Sequence, residues 1–157
     1  MTALIFLAIT IIDYNNKAMR KKNILLIDDD DDELEIFTAA LEDLKISYNC
    51  SLARNAQQAL VMLDNSVPDL IFLDVNMPGK GGIKCLEDIR ERDALKKVPV
   101  IIYTTCHDEY GGKNAMMSGA AAYVRKPSSI KALTGILKQV FDHYSVLDPY
   151  PVFHVYE

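Results

Sequence analysis

Residues 70–79 read L-I-F-L-D-V-N-M-P-G, so four apolar residues lead directly into Asp74. A short apolar run that is followed by turn residues is typical of a strand covered on both faces, as in parallel sheets. Ligands and chemistry collect in the crevice beyond the carboxyl ends of such strands. Asp74 is therefore a candidate reactive group, although an aspartate in this place can also simply cap or turn the chain.

The rest of the chain alternates between apolar runs and helical periodicity. Besides residues 70–73, the predicted strands are 24–27, 48–53, 100–103 and 123–125. Each is followed by apolar residues at helical spacing, which predicts a helix. Five strands alternating with five helices predict an α/β fold, a doubly wound parallel sheet with helices on both faces. The strand at 48–53 contains polar residues, and we expect it at an edge.

The composition favours one domain with a sizeable core, because the chain has 157 residues and half of them are apolar. The formal net charge of −5 and the lack of a basic stripe argue against nucleic acid as a direct partner. The cysteines at 50, 85 and 106 have neither the spacing of a zinc site nor the density of a disulfide framework. A reduced, cytoplasmic protein is expected, with no membrane partner.

The two ends of the chain have weaker patterns. Residues 1–18 contain an apolar run at 4–12 that is too short to cross a bilayer and lacks the basic start of a secretory signal. This extension is an added element packed on the domain, a membrane-touching segment, or an upstream stretch that is not translated, with Met19 as the start. The domain is then expected over 19–145. In the tail, 146–157, alternating apolar and polar residues predict either an added strand or a docking segment.

Polar side chains follow four of the predicted strands at the point where each strand ends. They are Asp28 and Asp29, Asp74, Thr104, and Lys126. Because the carboxyl ends of parallel strands meet at one edge of the sheet, we expect these side chains to share one crevice. Two carboxylates about 4 Å apart repel by about 4 kcal/mol at an effective dielectric constant of 20, so three of them need more positive charge than one lysine supplies.

An oxygen-only set of ligands suits Mg²⁺, which resists full dehydration. A carboxylate beside a divalent cation, a lysine and a hydroxyl can take a phosphoryl group. Asp74 would attack in line, while Lys126 and Thr104 bind the phosphoryl oxygens.

Four segments, in chain order, resemble the receiver domains of two-component response regulators. They are I-L-L-I-D-D at 24–29, F-L-D-V-N-M-P at 72–78, V-I-I-Y-T-T at 100–105 and G-A-A-A-Y-V-R-K-P at 119–127. The likeness covers residues 23–144, close in kind to a single-domain chemotaxis regulator. It implies a flavodoxin-like sheet with the strand order 2-1-3-4-5.

The resemblance also implies a function. A sensor histidine kinase or a histidine phosphotransfer protein would supply the phosphoryl group in phosphorelay signal transduction. The implied site residues are the phosphoacceptor Asp74, the Mg²⁺ ligands Asp28, Asp29, Asp74 and the backbone carbonyl of Asn76, the phosphoryl-binding Thr104 and Lys126, and the switch residues Thr104 and Tyr123. The surface of the fourth helix, fifth strand and last helix would then bind a downstream protein. The protein would be a phosphoacceptor with self-catalysed transfer and autodephosphorylation, not an enzyme with a separate substrate. In this family the Lys126–Pro127 bond is commonly cis.

Several alternatives remain open from the sequence. Residues 30–33 are predicted to cap and charge the first turn of the helix that follows, without a catalytic role. A register shifted by one would place Asp29 and Asp30 at the metal. A phosphatase of the haloacid dehalogenase type would use Asp28 as its nucleophile and leave Asp74 without a task. A receiver-like scaffold that works without phosphorylation is the third hypothesis, and the complete set of site residues argues against it.

Overall fold

The computed structural model describes residues 21–79, 81–105, 109–145 and 154–156. The interpretations of residues 1–18 lie outside this part of the chain. No helix within the described ranges is both long enough and apolar enough to span a membrane.

The described chain contains one parallel sheet. Its strands are β1 (Lys22–Ile27), β2 (Tyr48–Ala53), β3 (Leu70–Leu73), β4 (Val100–Thr104), β5 (Ala122–Arg125) and β6 (His154–Tyr156). Their order is β2-β1-β3-β4-β5-β6, and every neighbouring pair is parallel. The predicted order of the first five strands and the edge position of β2 are confirmed. Of the two alternatives for residues 154–156, the structure has the added strand, paired with β5.

Five α-helices connect the first five strands or follow them. They are α1 (Asp32–Asp43), α2 (Ala56–Asn65), α3 (Gly82–Arg90), α4 (Glu109–Met117) and α5 (Ile130–Ser145), with a 3₁₀ turn at Asp93–Leu95. Side-chain caps start two of them. The Asn55 side chain accepts a hydrogen bond from the Gln58 amide at 2.8 Å, and the Ser129 hydroxyl accepts one from the Ala132 amide at 3.2 Å. Such caps satisfy amides that the first helical turn leaves unpaired.

Successive residues of a strand point to opposite faces of the sheet, and this alternation separates two cores. On what we call the aliphatic face, the buried strand residues are Leu25, Ile27, Ala53, Ile71, Leu73, Val100 and Ile102, covered by α2, α3 and α4. On the aromatic face, they are Ile24, Leu26, Leu70, Phe72, Ile101, Tyr103, Ala122 and Val124, covered by α1 and α5. The rings of Phe37 and Phe72 meet edge-on with centroids 4.8 Å apart, and Phe37 and Tyr103 do so at 5.7 Å. Burial on both faces explains why the central strands are continuous apolar runs.

Candidate functional site

Three of the predicted site residues are held by the sheet itself, one residue past the end of a strand. The Asp28 amide donates to the Ala53 carbonyl at 2.9 Å, and the Asp74 amide donates to the Ile27 carbonyl at 2.9 Å. The Lys126 amide donates to the Thr104 carbonyl at 2.8 Å. The hydrogen-bonded ladders therefore continue into the site, and they fix the backbone from which each functional side chain projects.

Three carboxylates gather at this edge of the sheet. One oxygen from each of Asp28, Asp29 and Asp74 lies within 4.8 Å of the other two. Asp28 is fully buried, Asp74 is 6% exposed and Asp29 faces solvent. The Asp30 side chain instead accepts a hydrogen bond from the Asp32 amide at 3.0 Å, so it is engaged in the turn that leads into α1. The geometry thus groups Asp28 and Asp29 with Asp74, rather than Asp29 and Asp30.

The Lys126 ammonium lies among the carboxylates. Its Nζ is 2.6 Å from Asp28 Oδ2, 3.2 Å from Glu33 Oε1 and 3.3 Å from Asp74 Oδ2. An ammonium has three donors, and three carboxylates surround this one. The peptide bond between Lys126 and Pro127 is trans. The expectation of a cis bond is therefore wrong for this structure, and the lysine side chain reaches the site without one.

Burial and charge act against each other at this cluster. Burial raises the pKa of Asp28, while the hydrogen bonds from Lys126 and the Asp30 amide pull it down without cancelling the rise. Burial lowers the pKa of Lys126, but the hydrogen bond to Asp28 and the charges of Asp28, Asp74 and Glu33 outweigh it and leave the pKa raised. Lys126 therefore stays protonated at neutral pH. The site holds four carboxylates, those of Asp28, Asp29, Glu33 and Asp74, and one ammonium, so the oxygen donors present fit a divalent cation such as Mg²⁺.

The loop after β3 orients Asp74. Asp74 Oδ1 accepts a hydrogen bond from the Asn76 amide at 2.8 Å, which leaves Oδ2 facing Lys126. Gly82, the first residue of α3, packs on this loop, and its amide donates to the Val75 carbonyl at 3.3 Å. A Cβ atom at Gly82 would lie 2.5 Å from the Asp74 carbonyl oxygen and would also collide with the Val75 Cα. The sequence predicts no site role for Gly82, because the spacing of residues along the chain does not reveal this close backbone approach.

The predicted switch residues lie on neighbouring strands. Thr104 is fully buried at the end of β4. Tyr123 in β5 pairs with Ile102, two residues before Thr104, so both side chains point to the aliphatic face. Tyr123 is half-buried and packs against that core. A Cβ at Gly112 would lie 3.7 Å from its ring, which places the ring beside α4.

Glu33 and Tyr103 are site residues that the sequence analysis did not identify. The Tyr103 hydroxyl donates to Glu33 Oε2 at 3.3 Å, while Glu33 Oε1 is the oxygen near Lys126. Residues 30–33 are predicted from the sequence to cap and charge the helix without a catalytic role, and that prediction does not include the contact of Glu33 with Lys126.

Comparisons with known proteins agree with this geometry. The family model described as response regulator receiver domain matches residues 24–138. The phosphate regulon transcriptional regulatory protein PhoB of Pseudomonas aeruginosa is 34% identical over 106 residues, which are 68% of this chain and 45% of that protein. The chain spans less than half the length of the first curated relatives that it matches.

Two solved structures show the same fold. The phosphorylated cyanobacterial phytochrome response regulator RcpA has a TM-score of 0.74 at 24% identity, over 82% of this chain and 97% of that chain. The Mn²⁺-bound form of response regulator Rcp1 has a TM-score of 0.70 at 26% identity, over 83% and 99%. The family match covers most of the chain, from β1 into α5, and includes the whole carboxylate and lysine cluster. This chain therefore belongs to the response regulator receiver domain family, the phosphoacceptor domains of two-component phosphorelay signalling.

Proposed function

We propose that this protein is a phosphorylation-controlled binding module in which Asp74 accepts a phosphoryl group from the phosphohistidine of a sensor kinase or phosphotransfer protein. One observation carries the proposal. The Lys126 ammonium lies 3.3 Å from Asp74 and 2.6 Å from the buried Asp28, inside a group of three carboxylates. A nucleophilic carboxylate, a fixed positive charge and a set of oxygen donors for a metal are the parts that phosphoryl transfer to an aspartate needs.

The transfer step follows from this arrangement. An Asp74 carboxylate oxygen attacks phosphorus, and a P–O bond forms as the P–N bond to the donor histidine breaks. The electron pair of that bond goes to the imidazole nitrogen, which is neutralised by a proton from water. Lys126 turns the donor that faced Asp74 Oδ2 toward a phosphoryl oxygen, and the Thr104 hydroxyl binds another.

The carboxylates of Asp28, Asp29 and Asp74, with the backbone carbonyl of Asn76, would hold Mg²⁺. When bound, the ion neutralises charge on the phosphoryl oxygens. The buried Asp28 supports this assignment. Burial destabilises the ionised form of its carboxylate, so a second cation besides Lys126 would stabilise that form more than it would stabilise an exposed carboxylate.

The output is a changed surface. Phosphorylation replaces the single charge of Asp74 with about two negative charges, which draw Thr104 toward the phosphate and let Tyr123 turn inward. Tyr123 lies in β5 against α4, so the surface of α4, β5 and α5 responds first. Its target is a downstream cytoplasmic protein. To shift the ratio of the active to the inactive conformation from 1:99 to 99:1, phosphorylation must favour the active one by about 5.5 kcal/mol. A few charge-assisted hydrogen bonds to the phosphate supply this free energy.

Mass spectrometry after incubation with acetyl phosphate and Mg²⁺ tests the proposal. We expect a single phosphoryl adduct that EDTA prevents and that is absent in Asp74→Asn. The matched control is Asp93→Asn, whose parent side chain is 91% exposed and paired with Lys96, and which should be labelled like the wild type. Labelling that survives Asp74→Asn and disappears in Asp28→Asn would establish the phosphatase alternative. No adduct on any variant would favour the phosphorylation-independent scaffold.

A further inference from the structure

We infer that Glu33 is a positioning residue that competes with the phosphoryl group for the Lys126 ammonium and so limits how strongly the site binds a phosphoryl group. The inference rests on the proposed function. It adds a residue on α1 to a site otherwise built from strand ends.

The contacts of Lys126 divide into one tight and two looser ones. Asp28 holds the ammonium at 2.6 Å, whereas Glu33 and Asp74 lie at 3.2 and 3.3 Å. Glu33 is 13% exposed, so water screens its charge only partly. Each of the three carboxylates can face one of the three ammonium donors, so the single positive charge of Lys126, rather than a donor, is divided among them, and either looser carboxylate interacts more strongly with that charge if the other withdraws.

A phosphoryl group on Asp74 changes this balance. It needs the ammonium more strongly than the bare carboxylate does, because it adds negative charge in the same place. Glu33 opposes the phosphoryl group in two ways. It keeps part of the interaction with the positive charge of Lys126, and it repels the added negative charge. If the charge of Glu33 is removed, Asp28 still holds Lys126 in place and both opposing effects are lost. The phosphorylated form is then favoured.

Tyr103 fixes Glu33 in this role. Its hydroxyl holds Glu33 Oε2 at 3.3 Å, and its ring centroid lies 5.4 Å from Lys126 Nζ. The ring itself is held edge-on by Phe37 and Phe72 in the aromatic face. The position of the Glu33 carboxylate is thereby tied to the core rather than to solvent.

The test is a titration of the full chain with beryllofluoride, a phosphoryl mimic, at saturating Mg²⁺, with bound fluoride followed by ¹⁹F NMR. We expect Glu33→Gln to bind it about tenfold more tightly, the size of effect given by one partly screened charge a few ångströms away. Glu33→Asp, which keeps the charge but shortens the reach toward Lys126, should give a smaller gain and guards against misfolding of the first variant. The control Glu35→Gln removes an equal charge from the exposed side of the same helical turn and should change affinity by less than twofold.

Tyr103→Phe tests the link to the core. It should tighten binding about threefold in the wild type and have no effect in Glu33→Gln, because the phenol acts through Glu33. A merely structural role for Glu33 predicts unchanged or weaker binding in Glu33→Gln, and that result overturns the inference. If the wild type neither binds beryllofluoride nor accepts a phosphoryl group, the proposed function itself fails. If the wild type does both and Glu33→Gln gains nothing, only this inference fails.

Discussion

The two faces of the sheet are built from alternate residues of the same strands, yet they contact the site in different ways. On the aromatic face, three rings meet edge-on, and one of them, Tyr103, hydrogen bonds to Glu33 in the site. On the aliphatic face, the site meets a glycine backbone at Gly82 and the hydroxyl of Thr104. Rings with preferred mutual geometry hold a fixed orientation, whereas a glycine allows the close approach of two backbone segments.

This difference suggests that the two faces have different roles. The aromatic face holds Glu33 through Tyr103, while the aliphatic face, which contains Thr104 and Tyr123, is the one that we propose responds to phosphorylation. Each of the following experiments tests the difference between the two faces.

The largest effect is expected for Phe72→Ala on the aromatic face. The substitution removes a fully buried ring and its edge-on contacts with Phe37 and Tyr103, and should lower the free energy of unfolding by about 3–5 kcal/mol. Urea denaturation measures the loss. The matched variant is Ile71→Ala, the preceding residue, which faces the aliphatic core and should cost about 2–5 kcal/mol. A larger loss for Ile71→Ala than for Phe72→Ala would contradict the larger effect expected of the aromatic ring.

Gly82→Ala should have an intermediate effect on stability and a clear one on labelling. Its methyl group would collide with the backbone of Asp74 and Val75, which cannot shift without moving the Asp74 carboxylate. We expect a loss of about 1–3 kcal/mol in urea denaturation and slower phosphorylation by acetyl phosphate. Gly135→Ala in α5 is the control, because its methyl group meets nothing within 4 Å and should stabilise the helix by about 0.5–1 kcal/mol. Labelling of Gly82→Ala at the wild-type rate would show that the approach of α3 does not position Asp74.

The smallest effect concerns the two described cysteines, one on each face. Cys85 is fully buried in the aliphatic core, and Cys50 packs against the aromatic core, where burial raises its pKa to about 12. Because only the thiolate reacts, about one Cys50 thiol in ten thousand is reactive at pH 8, and each pH unit upward should speed labelling about tenfold. The measurement uses a disulfide reagent on a Cys106→Ser variant, since Cys106 lies outside the described residues.

The expected order of that labelling is Cys50 first and Cys85 only on global unfolding, because Cys50 is the partly exposed one. Two thiols should react promptly in denaturant. Fast labelling of Cys85 in the native protein would mean that the aliphatic face opens more readily than its packing indicates.

Much of the fold could be predicted because its causes are local. Apolar runs and helical spacing located five strands and five helices, and polar residues in β2 correctly indicated an edge. For residues 154–156 the alternating pattern left two alternatives, since a strand of three residues is decided by its pairing with β5 and not by its own sequence.

The candidate site could be predicted in part for a different reason. Parallel strands bring their carboxyl ends to one edge, so residues that follow those ends, such as Asp28, Asp74 and Lys126, must come close once the topology is known. Glu33 and Gly82 follow no strand. Their contacts depend on how α1 and α3 pack on the sheet, which the spacing of residues along the chain does not encode.

The sequence by itself determined the parallel α/β class, the run of strands and helices, and the carboxylates and lysine that gather at one edge. Periodicity and strand ends are properties of short segments, so they can be recognised in the sequence alone. The tertiary structure alone decided that Lys126 is shared among three carboxylates, that Tyr103 ties Glu33 to the aromatic core, and that Gly82 meets the backbone of Asp74. The contacts of Lys126 and of Tyr103 mostly join residues far apart in the chain, and the packing of whole helices on the sheet sets the distances in all three cases.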